Sequence, residues 1–270
     1  MTIHPIAAAF ARAREERRVA LIPYVMAGYP DLATCEALAV ALCQAGADLI
    51  ELGAPFSDPL ADGVTIQAAA QKSLEQGTTL AATLALAGRI SSQVLTPIVL
   101  MGYYNPIYRF GVERFCAVAA ESGVRGVIVP DLPPEEAEPL GSAARERGVE
   151  VIFLLSPTST SQRIAQVAEV AGRTGGGFIY CVSLSGVTGA RDRLPEQLSA
   201  FIGRVRSATS LPLAVGFGVS RPEHVAEIGG FADGAVVASA LLNAVDAAPA
   251  NERIEAGAAF LRALQSCAAR

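Results

Sequence analysis

Three carboxylates stand close together at the end of a short apolar run that has the pattern of a buried strand. The run covers residues 47–50, and Glu51 follows it directly, where a carboxylate has no packing role. Asp58 and Asp62 come next, in a segment whose two prolines and two glycines break regular structure as far as Gly63. A loop this long in a compact domain usually has a function. The spacing therefore predicts acid–base chemistry by carboxylates, with a solvated turn as the alternative for Asp58.

The residue types that are scarce in the chain restrict this chemistry further. The only lysine, Lys72, falls on the helix predicted after the loop, whereas a Schiff-base aldolase needs its lysine near a strand end. The two histidines, His4 and His224, are too few for a histidine-rich zinc site, and we interpret His224 as a surface or packing residue. No serine stands in a GxSxG elbow. What remains is proton transfer by carboxylates, with a substrate that supplies its own electron sink.

Composition and charge exclude several classes of protein. The 270 residues carry a net charge of −5 and no basic cluster longer than Arg17-Arg18, so we expect no nucleic-acid surface. The five cysteines lack CxxC spacing, which is typical of reduced cysteines in a cytosolic protein. The amphipathic segment 2–18 is not a signal peptide, and prolines interrupt the uncharged stretch 90–108. We therefore expect a soluble, cytoplasmic protein that does not enter a membrane.

Apolar runs and helical segments alternate along the whole sequence. Eight runs are predicted to be strands, and none alternates cleanly between apolar and polar residues, as expected for parallel strands covered on both faces. The predicted strands cover residues 19–27, 47–50, 97–101, 126–129, 149–155, 177–182, 211–215 and 234–237. The predicted helices between them include 32–45, 64–76, 79–91 and 111–121.

This alternation predicts the fold class. A single α/β domain over residues 1–270, a (β/α)8 TIM barrel with an additional N-terminal helix, accounts for both the length and the element order. A doubly wound open sheet is the alternative, but no GxGxxG pattern follows the first strand. The last two strands of the barrel end in Gly216-Phe-Gly218 and Ala238-Ser239, where this fold often binds phosphate through backbone N–H groups. The alternative is that these glycines only terminate strands.

The stretch Glu51-Leu-Gly-Ala-Pro-Phe-Ser-Asp-Pro-Leu-Ala-Asp-Gly63 resembles the signature of the tryptophan synthase alpha chain family, and Thr65-Ile-Gln67 continues it. Further matches follow in order over essentially the whole chain: Pro130-Asp-Leu-Pro133, Ser185-Gly-Val-Thr-Gly189, Gly216-Phe-Gly-Val-Ser220 and the strand end at Ser239. The resemblance implies a lyase that cleaves indole-3-glycerol phosphate to indole and glyceraldehyde 3-phosphate by a reverse aldol reaction, with neither metal nor cofactor. It also implies a partner, the tryptophan synthase beta chain, in an alpha2beta2 complex.

Matching the motif positions carries the family's site residues onto this chain as expectations. Glu51 would be the general acid/base and Asp62 the partner of the indole N–H, while Tyr180 and Thr188 would line and close the site. The apolar slot for the ring would comprise Tyr24, Leu100, Tyr103, Ile128 and Leu154, and the phosphate would be held by Gly189, Gly218, Ala238 and Ser239. One position departs from the family pattern. Ala238 stands where the family usually has glycine, and its methyl group would restrict φ and crowd the phosphate.

The resemblance assigns different tasks to the two acids. Protonation of the indole C3 carbon makes the ring an iminium-like electron sink, so the reaction needs no lysine. Glu51 would supply that proton, and burial at the mouth of an apolar slot would raise its pKa toward the working pH. Asp62 would stay ionised and stabilise the positive charge that grows on the ring nitrogen.

Two other functions remain open at this point. One is a binding subunit that switches the beta chain and has little activity alone, and the other is a different phosphate-binding barrel, such as an isomerase with Glu51 as base. The loops 53–63 and 183–194 are expected to close over the substrate, and residues 184–192 to be poorly ordered without ligand. Pro55 and Asp58 are expected on the outer side of the first loop, facing the beta chain.

Overall fold

Strands and helices alternate along the computed structural model of the chain, which describes residues 3–182, 197–216, 218–266 and 268. The strands are β1 (Ala20–Met26), β2 (Ile50–Gly53), β3 (Ile98–Met101), β4 (Val124–Ile128), β5 (Glu150–Ile152), β6 (Leu154–Leu155), β7 (Ile179–Val182), β8 (Leu213–Gly216) and β9 (Gly234–Val237). The helices are α1 (Pro5–Glu15), α2 (Leu32–Gln44), α3 (Val64–Glu75), α4 (Leu80–Ser91), α5 (Tyr104–Phe110), α6 (Val112–Glu121), α7 (Glu138–Glu146), α8 (Ser161–Arg173), α9 (Gln197–Arg206), α10 (Pro222–Gly229), α11 (Ser239–Ala247) and α12 (Arg253–Gln265). None of the described helices is both long enough and apolar enough to cross a membrane.

All the described strands form one parallel sheet that is rolled into a barrel. Their order is β5-β4-β3-β2-β1-β9-β8-β7-β6, so each strand lies beside its neighbours in the chain and β1 closes against β9. The two ends of this order, β5 and β6, are parts of one run that is interrupted only at Phe153. The order never reverses as it does in a doubly wound sheet. The structure therefore confirms the (β/α)8 barrel and rules out the open sheet.

Several local features differ from the sequence prediction. The second strand, expected at residues 47–50, is Ile50–Gly53, so Glu51 lies within it rather than directly after it. The fifth strand is split, because β5 pairs with β4 while β6 pairs with β7, and the chain steps from one neighbour to the other at Phe153. Helix α5 occupies a segment to which the sequence assigned neither a strand nor a helix, and the Asp131 carboxylate caps it by accepting a hydrogen bond from the Tyr104 N–H at 2.9 Å. Strand β7 starts at Ile179 rather than at residue 177, because residues 175–177 are glycines with positive φ.

The N-terminal helix closes the lower end of the barrel. Helix α1 is buried along the face that carries Ile6 and Phe10, and Phe10 lies 5.4 Å from Phe178 between ring centroids. These side chains fill the lower barrel together with inward residues of several strands, and each large apolar side chain contributes roughly 1.5–3 kcal/mol by burial. The additional N-terminal helix is thus confirmed. With the lower half filled, the space left for a ligand is at the carboxyl ends of the strands.

Candidate active site

A cavity of about 150 Å³ opens at the carboxyl ends of the strands, above the filled lower half of the barrel. Among the described residues its wall is mostly apolar, and the side chains with polar groups are two carboxylates, two tyrosines and a serine. The lining residues are Tyr24, Glu51, Ala61, Asp62, Gly63, Ile66, Met101, Ile128, Pro130, Leu154, Tyr180, Val182, Gly216, Gly218, Val219, Val236, Ala238, Ser239 and Ala240. An apolar cavity with a few convergent polar groups is the usual form of a small-molecule site.

Glu51 enters this cavity because of its position in β2. Side chains alternate across a strand, so Ile50 and Leu52 pack outward against the helices while Glu51 points inward, between Tyr24 of β1 and Val99 of β3. Only 3% of Glu51 is exposed, and its Oε2 atom has no hydrogen-bond partner among the described residues.

The surroundings of Glu51 favour its protonated form. Burial raises the pKa of Glu51 to about 8, and the negative charge of Asp62 adds to this rise. A hydrogen bond with Tyr180 acts in the opposite direction and is the smallest of the three effects. Glu51 is therefore mostly protonated at neutral pH and can serve as a proton donor to a ligand in the cavity.

Asp62 is held at the rim of the cavity by the residues around it. The Tyr103 hydroxyl donates a hydrogen bond to Asp62 Oδ2 at 3.2 Å and accepts one from the Ala61 N–H at 3.0 Å. The Gln67 side chain on α3 donates to the Asp62 carbonyl oxygen at 2.7 Å. Burial raises the pKa of Asp62 to about 6, and the Tyr103 hydrogen bond limits that rise. At pH 7 the cavity thus holds one protonated and one largely ionised carboxyl group, which matches a division between acid and electrostatic stabiliser.

The loop between β2 and α3 is anchored on its inner side and exposed at its tip. The Ala54 N–H donates to the Met101 carbonyl at 2.7 Å, and Phe56 stacks on Tyr103 with 5.1 Å between ring centroids. Asp58 is exposed at the tip, as expected. Pro55 is buried, because it continues the chain that Ala54 holds against the sheet. The expectation that Pro55 faces outward is therefore wrong.

The apolar slot contains most of the predicted ring-binding residues, with one displaced. Tyr24, Ile128, Leu154 and Tyr180 line the cavity. Leu100 does not: it packs outward among the residues between sheet and helices, and its neighbour Met101 lines the cavity instead. The reason is the alternation of side chains along β3, which places adjacent residues on opposite faces. Tyr103 stands behind Asp62 rather than in the cavity wall.

Two strand glycines leave the space that the cavity's tyrosines occupy. A Cβ atom at Gly53 would lie 2.0 Å from the Tyr24 hydroxyl oxygen, and one at Gly216 would lie 2.6 Å from the hydroxyl oxygen of Tyr180. Both distances are far below van der Waals contact, so any side chain at either position would displace a tyrosine. Sequence reasoning did not identify this role, nor did it place Val182 and Val236 in the wall. Counting inward positions along each strand would have found all four residues.

The far side of the cavity has the features of an anion site. Helix α11 begins at Ser239, and no described side chain caps its first turn, so its N–H groups and the positive end of its dipole face the cavity. Gly218 has φ +44°, a conformation that favours glycine, and it lines the same end. The φ of Ala238 is −116°, which lies outside the left-handed region that favours glycine. Thr188 and Gly189, with the rest of the loop 183–194, lie outside the described residues.

The family model for the tryptophan synthase alpha chain matches residues 10–268 of this chain. A relative with that name from Roseiflexus sp. (strain RS-1) is 49% identical over 261 residues, covering 96% of this chain and 98% of the relative. Another, from Geobacter sp. (strain M21), is 50% identical over 256 residues, covering 95% of this chain and 94% of the relative.

Solved structures agree with these matches. A structure of Mycobacterium tuberculosis tryptophan synthase has a TM-score of 0.89 with 36% identity, covering 98% of both chains. The tryptophan synthase alpha chain of Legionella pneumophila has a TM-score of 0.88 with 33% identity, covering 98% of this chain and 97% of that one. The resemblance found in the sequence is thus confirmed: this chain belongs to the tryptophan synthase alpha chain family, a family of lyases with a TIM-barrel fold.

Proposed function

We propose that this chain cleaves indole-3-glycerol phosphate to indole and glyceraldehyde 3-phosphate, the alpha reaction of tryptophan synthase in L-tryptophan biosynthesis. The observation that carries the proposal is the pairing of Glu51 and Asp62 in one apolar cavity, with pKa values of about 8 and about 6. A cleavage that starts with ring protonation needs one acid that holds its proton and another that has lost it. Family membership independently supports this reaction.

At the ring end, Glu51 donates its proton to the indole C3 carbon, and the ring nitrogen becomes positively charged. The Asp62 carboxylate accepts the indole N–H and stabilises that charge. The bond between C3 and the glycerol chain then breaks, and its electrons return to the ring. The neighbouring glycerol hydroxyl loses its proton, with the Glu51 carboxylate assisting, and becomes the aldehyde of glyceraldehyde 3-phosphate. Glu51 therefore acts as acid first and as base afterwards.

The remaining roles follow the two ends of the substrate. The indole ring lies in the slot formed by Tyr24, Met101, Ile128, Leu154 and Tyr180. The phosphate binds at the start of α11, contacting Ser239 and the backbone of Gly218 and Ala238, without the help of a lysine. Closure by Thr188 and phosphate contact by Gly189 stay predictions from the sequence, as does the single domain over residues 1–270.

We also propose that the chain works with a beta chain in an alpha2beta2 complex in the cytoplasm. Family membership supports this proposal, and so does the surface beside the cavity mouth. Leu60 at the loop tip is 90% exposed, and Tyr108 on α5 is 67% exposed. Both follow strands that end at the catalytic face, and Asp58, in the same loop as Leu60, is exposed as well. Large apolar side chains exposed beside an active site are typical of a protein interface.

One assay separates the open functions. The isolated chain is incubated with indole-3-glycerol phosphate, with and without a tryptophan synthase beta chain, and indole and glyceraldehyde 3-phosphate are both quantified. The proposal predicts equal amounts of the two products from the isolated chain and a higher rate with the beta chain. Product formation only in the presence of the beta chain would favour the regulatory binding subunit. Consumption of a different sugar phosphate, with no cleavage of this substrate, would favour another phosphate-binding barrel.

A further inference from the structure

The only lysine of the chain belongs to a polar cluster that is separate from the cavity. Tyr29, in the turn after β1, is 5% exposed, and its hydroxyl donates to both carboxylate oxygens of Asp246 at 2.6 and 2.7 Å. The Lys72 Nζ atom donates to the same hydroxyl oxygen at 3.4 Å and lies 5.3 Å from the centroid of the Tyr29 ring. We name Tyr29, Lys72 and Asp246 the Tyr29 clamp. Burial and the Asp246 hydrogen bond raise the pKa of Tyr29 to about 12, so its hydroxyl keeps its proton at neutral pH.

The clamp joins two helices that carry opposite ends of the candidate substrate site. Lys72 lies on α3 and Asp246 lies in the last turn of α11. Helix α3 begins two residues after Asp62, and Gln67 in its first turns holds the Asp62 carbonyl. Helix α11 begins at Ser239, at the anion end of the cavity. Lys72 and Asp246 each lie about two turns from the start of their helix.

The packing beneath the clamp makes this connection rigid. A separate apolar cluster contains Tyr24, Met26, Tyr29, Ala69, Ala70 and Leu242, with Ile66 and Ala238 packed against it. Two alanines on α3 allow close approach to Leu242 of α11. Because Ile66 and Ala238 also line the cavity, a shift of either helix would change the shape of the cavity that the ligand occupies. The hydrogen bonds of the clamp fix how far apart the two helices sit, and apolar contacts alone would allow them to slide.

We propose that the Tyr29 clamp is a positioning device that sets the distance between Asp62 and the phosphate-binding start of α11. The proposal rests on the proposed function, because that function gives the site a substrate that spans both ends. A ligand that reaches from Asp62 to Ser239 must match this distance, whereas a ligand that fills one end does not. The clamp should therefore act on spanning ligands selectively, which a residue that only stabilises the fold would not do.

The test compares three ligands on the full chain: indole-propanol phosphate, which spans the site and cannot be cleaved, and indole and inorganic phosphate, which each fill one end. In Tyr29→Phe the ring and its packing remain while the hydroxyl is lost. The Kd for indole-propanol phosphate should rise by about threefold to thirtyfold, and the Kd values for indole and phosphate should change by less than about twofold. Lys72→Met should show the same selectivity, and since Lys72 is exposed, this variant tests the clamp even where Tyr29→Phe folds poorly.

Two further variants of α3 serve as controls. Lys72→Arg keeps a charged donor and should keep parental affinity for the spanning analogue. Gln71→Met alters the neighbouring exposed position of α3, outside the clamp, and should leave all three Kd values unchanged. Parental affinity for the analogue in both Tyr29→Phe and Lys72→Met overturns the clamp, and so does an equal loss for all three ligands. If the parent chain cleaves no indole-3-glycerol phosphate, both the proposed function and the clamp are overturned. If the parent is active but the variants bind as the parent does, only the clamp is overturned.

Discussion

At the scale of single residues, the site depends on two carboxyl groups whose surroundings separate their pKa values. Glu51 is almost completely buried and its Oε2 atom lacks a described partner, whereas Asp62 is partly exposed and accepts a hydrogen bond from Tyr103. The same kind of group is therefore held in two protonation states at neutral pH. This separation allows one cavity to donate a proton and to stabilise a cation.

The pH dependence of kcat/KM should reflect both groups. Below about pH 6 Asp62 becomes protonated and can no longer stabilise the ring cation, and above about pH 8 Glu51 loses the proton that it must donate. We expect a bell-shaped profile with its maximum near pH 7, since kcat/KM reports the free enzyme. Initial rates at low substrate from pH 5 to 9 measure it. Asp62→Asn should lack the acid limb, and a parent profile that is flat across this range would contradict these assignments.

The raised pKa of Glu51 also has a cost in stability. In the unfolded chain Glu51 ionises near its ordinary pKa of about 4.3. The folded state holds the proton to about pH 8. Between these values the folded state binds more protons, so the free energy of unfolding falls by about 1.4 kcal/mol per pH unit from this group. Glu51→Gln should therefore stabilise the chain more at pH 8 than at pH 5, as measured by urea unfolding. A stability difference between variant and parent that does not change with pH would contradict the burial of an acid here.

The sequence predicted some of the site residues correctly and missed or misplaced others. Glu51 and Asp62 were found because carboxylates at a strand end and in a long loop are chemically conspicuous. Leu100 was misplaced because it was carried over from the family resemblance, where an error of one residue along a strand reverses the face that the side chain occupies. The sequence did not show that Gly53 and Gly216 leave room for Tyr24 and Tyr180, because these tyrosines come from other strands.

At the scale of elements, the proposed phosphate end is lined, among the described residues, by the ends of β8 and β9 rather than by charged side chains. Gly218→Val places a branched side chain where φ is +44° and where the backbone must approach the ligand. We expect KM for indole-3-glycerol phosphate to rise by at least about tenfold, with a smaller effect on kcat. Gly203→Val is the matched control, because nothing lies within 4 Å of a Cβ atom there. Normal KM in Gly218→Val would place the phosphate elsewhere.

The elements that the sequence failed to predict depend on distant residues. Helix α5 is capped by Asp131, which is 27 residues from Tyr104 in the sequence, so the residues next to the helix do not predict its start. The break at Phe153 exists because β5 and β6 pair with different neighbours, which is a property of the closed sheet. Strands and helices with their own apolar runs were predicted well, and errors at their ends were mostly of one to three residues.

At the scale of the whole molecule, stability and chemistry occupy opposite ends of the barrel. The barrel itself was predictable, because eight alternating units of this length have few other arrangements. At the lower end Asp48 is fully buried, accepts from Arg12 and from two guanidinium nitrogens of Arg18, and accepts from the Leu21 N–H at 2.9 Å. This network joins the α1 end of the chain to the entry of β2.

Asp48→Ala should therefore weaken the fold without changing the chemistry. Removing the carboxylate leaves the buried Leu21 N–H without its acceptor, while Arg18 keeps its ion pair with Glu16, so we expect a loss of about 1–3 kcal/mol in the free energy of unfolding. Denaturant unfolding measures this loss, and kcat of the folded variant at low temperature should stay within about twofold of the parent. A large fall in kcat with unchanged stability would contradict the separation of the two ends.

The proposed role of Glu51 is to supply the proton that starts cleavage, and the Glu51→Gln variant tests this role most directly. The amide keeps the shape but carries no transferable proton, so kcat for indole-3-glycerol phosphate should fall by at least ~100-fold. The Kd for indole-propanol phosphate should change by no more than about twofold, since the analogue needs no proton transfer. Glu121→Gln, an exposed glutamate on α6, should keep parental turnover. Near-normal turnover in Glu51→Gln would contradict the account, because the proton would then come from another group.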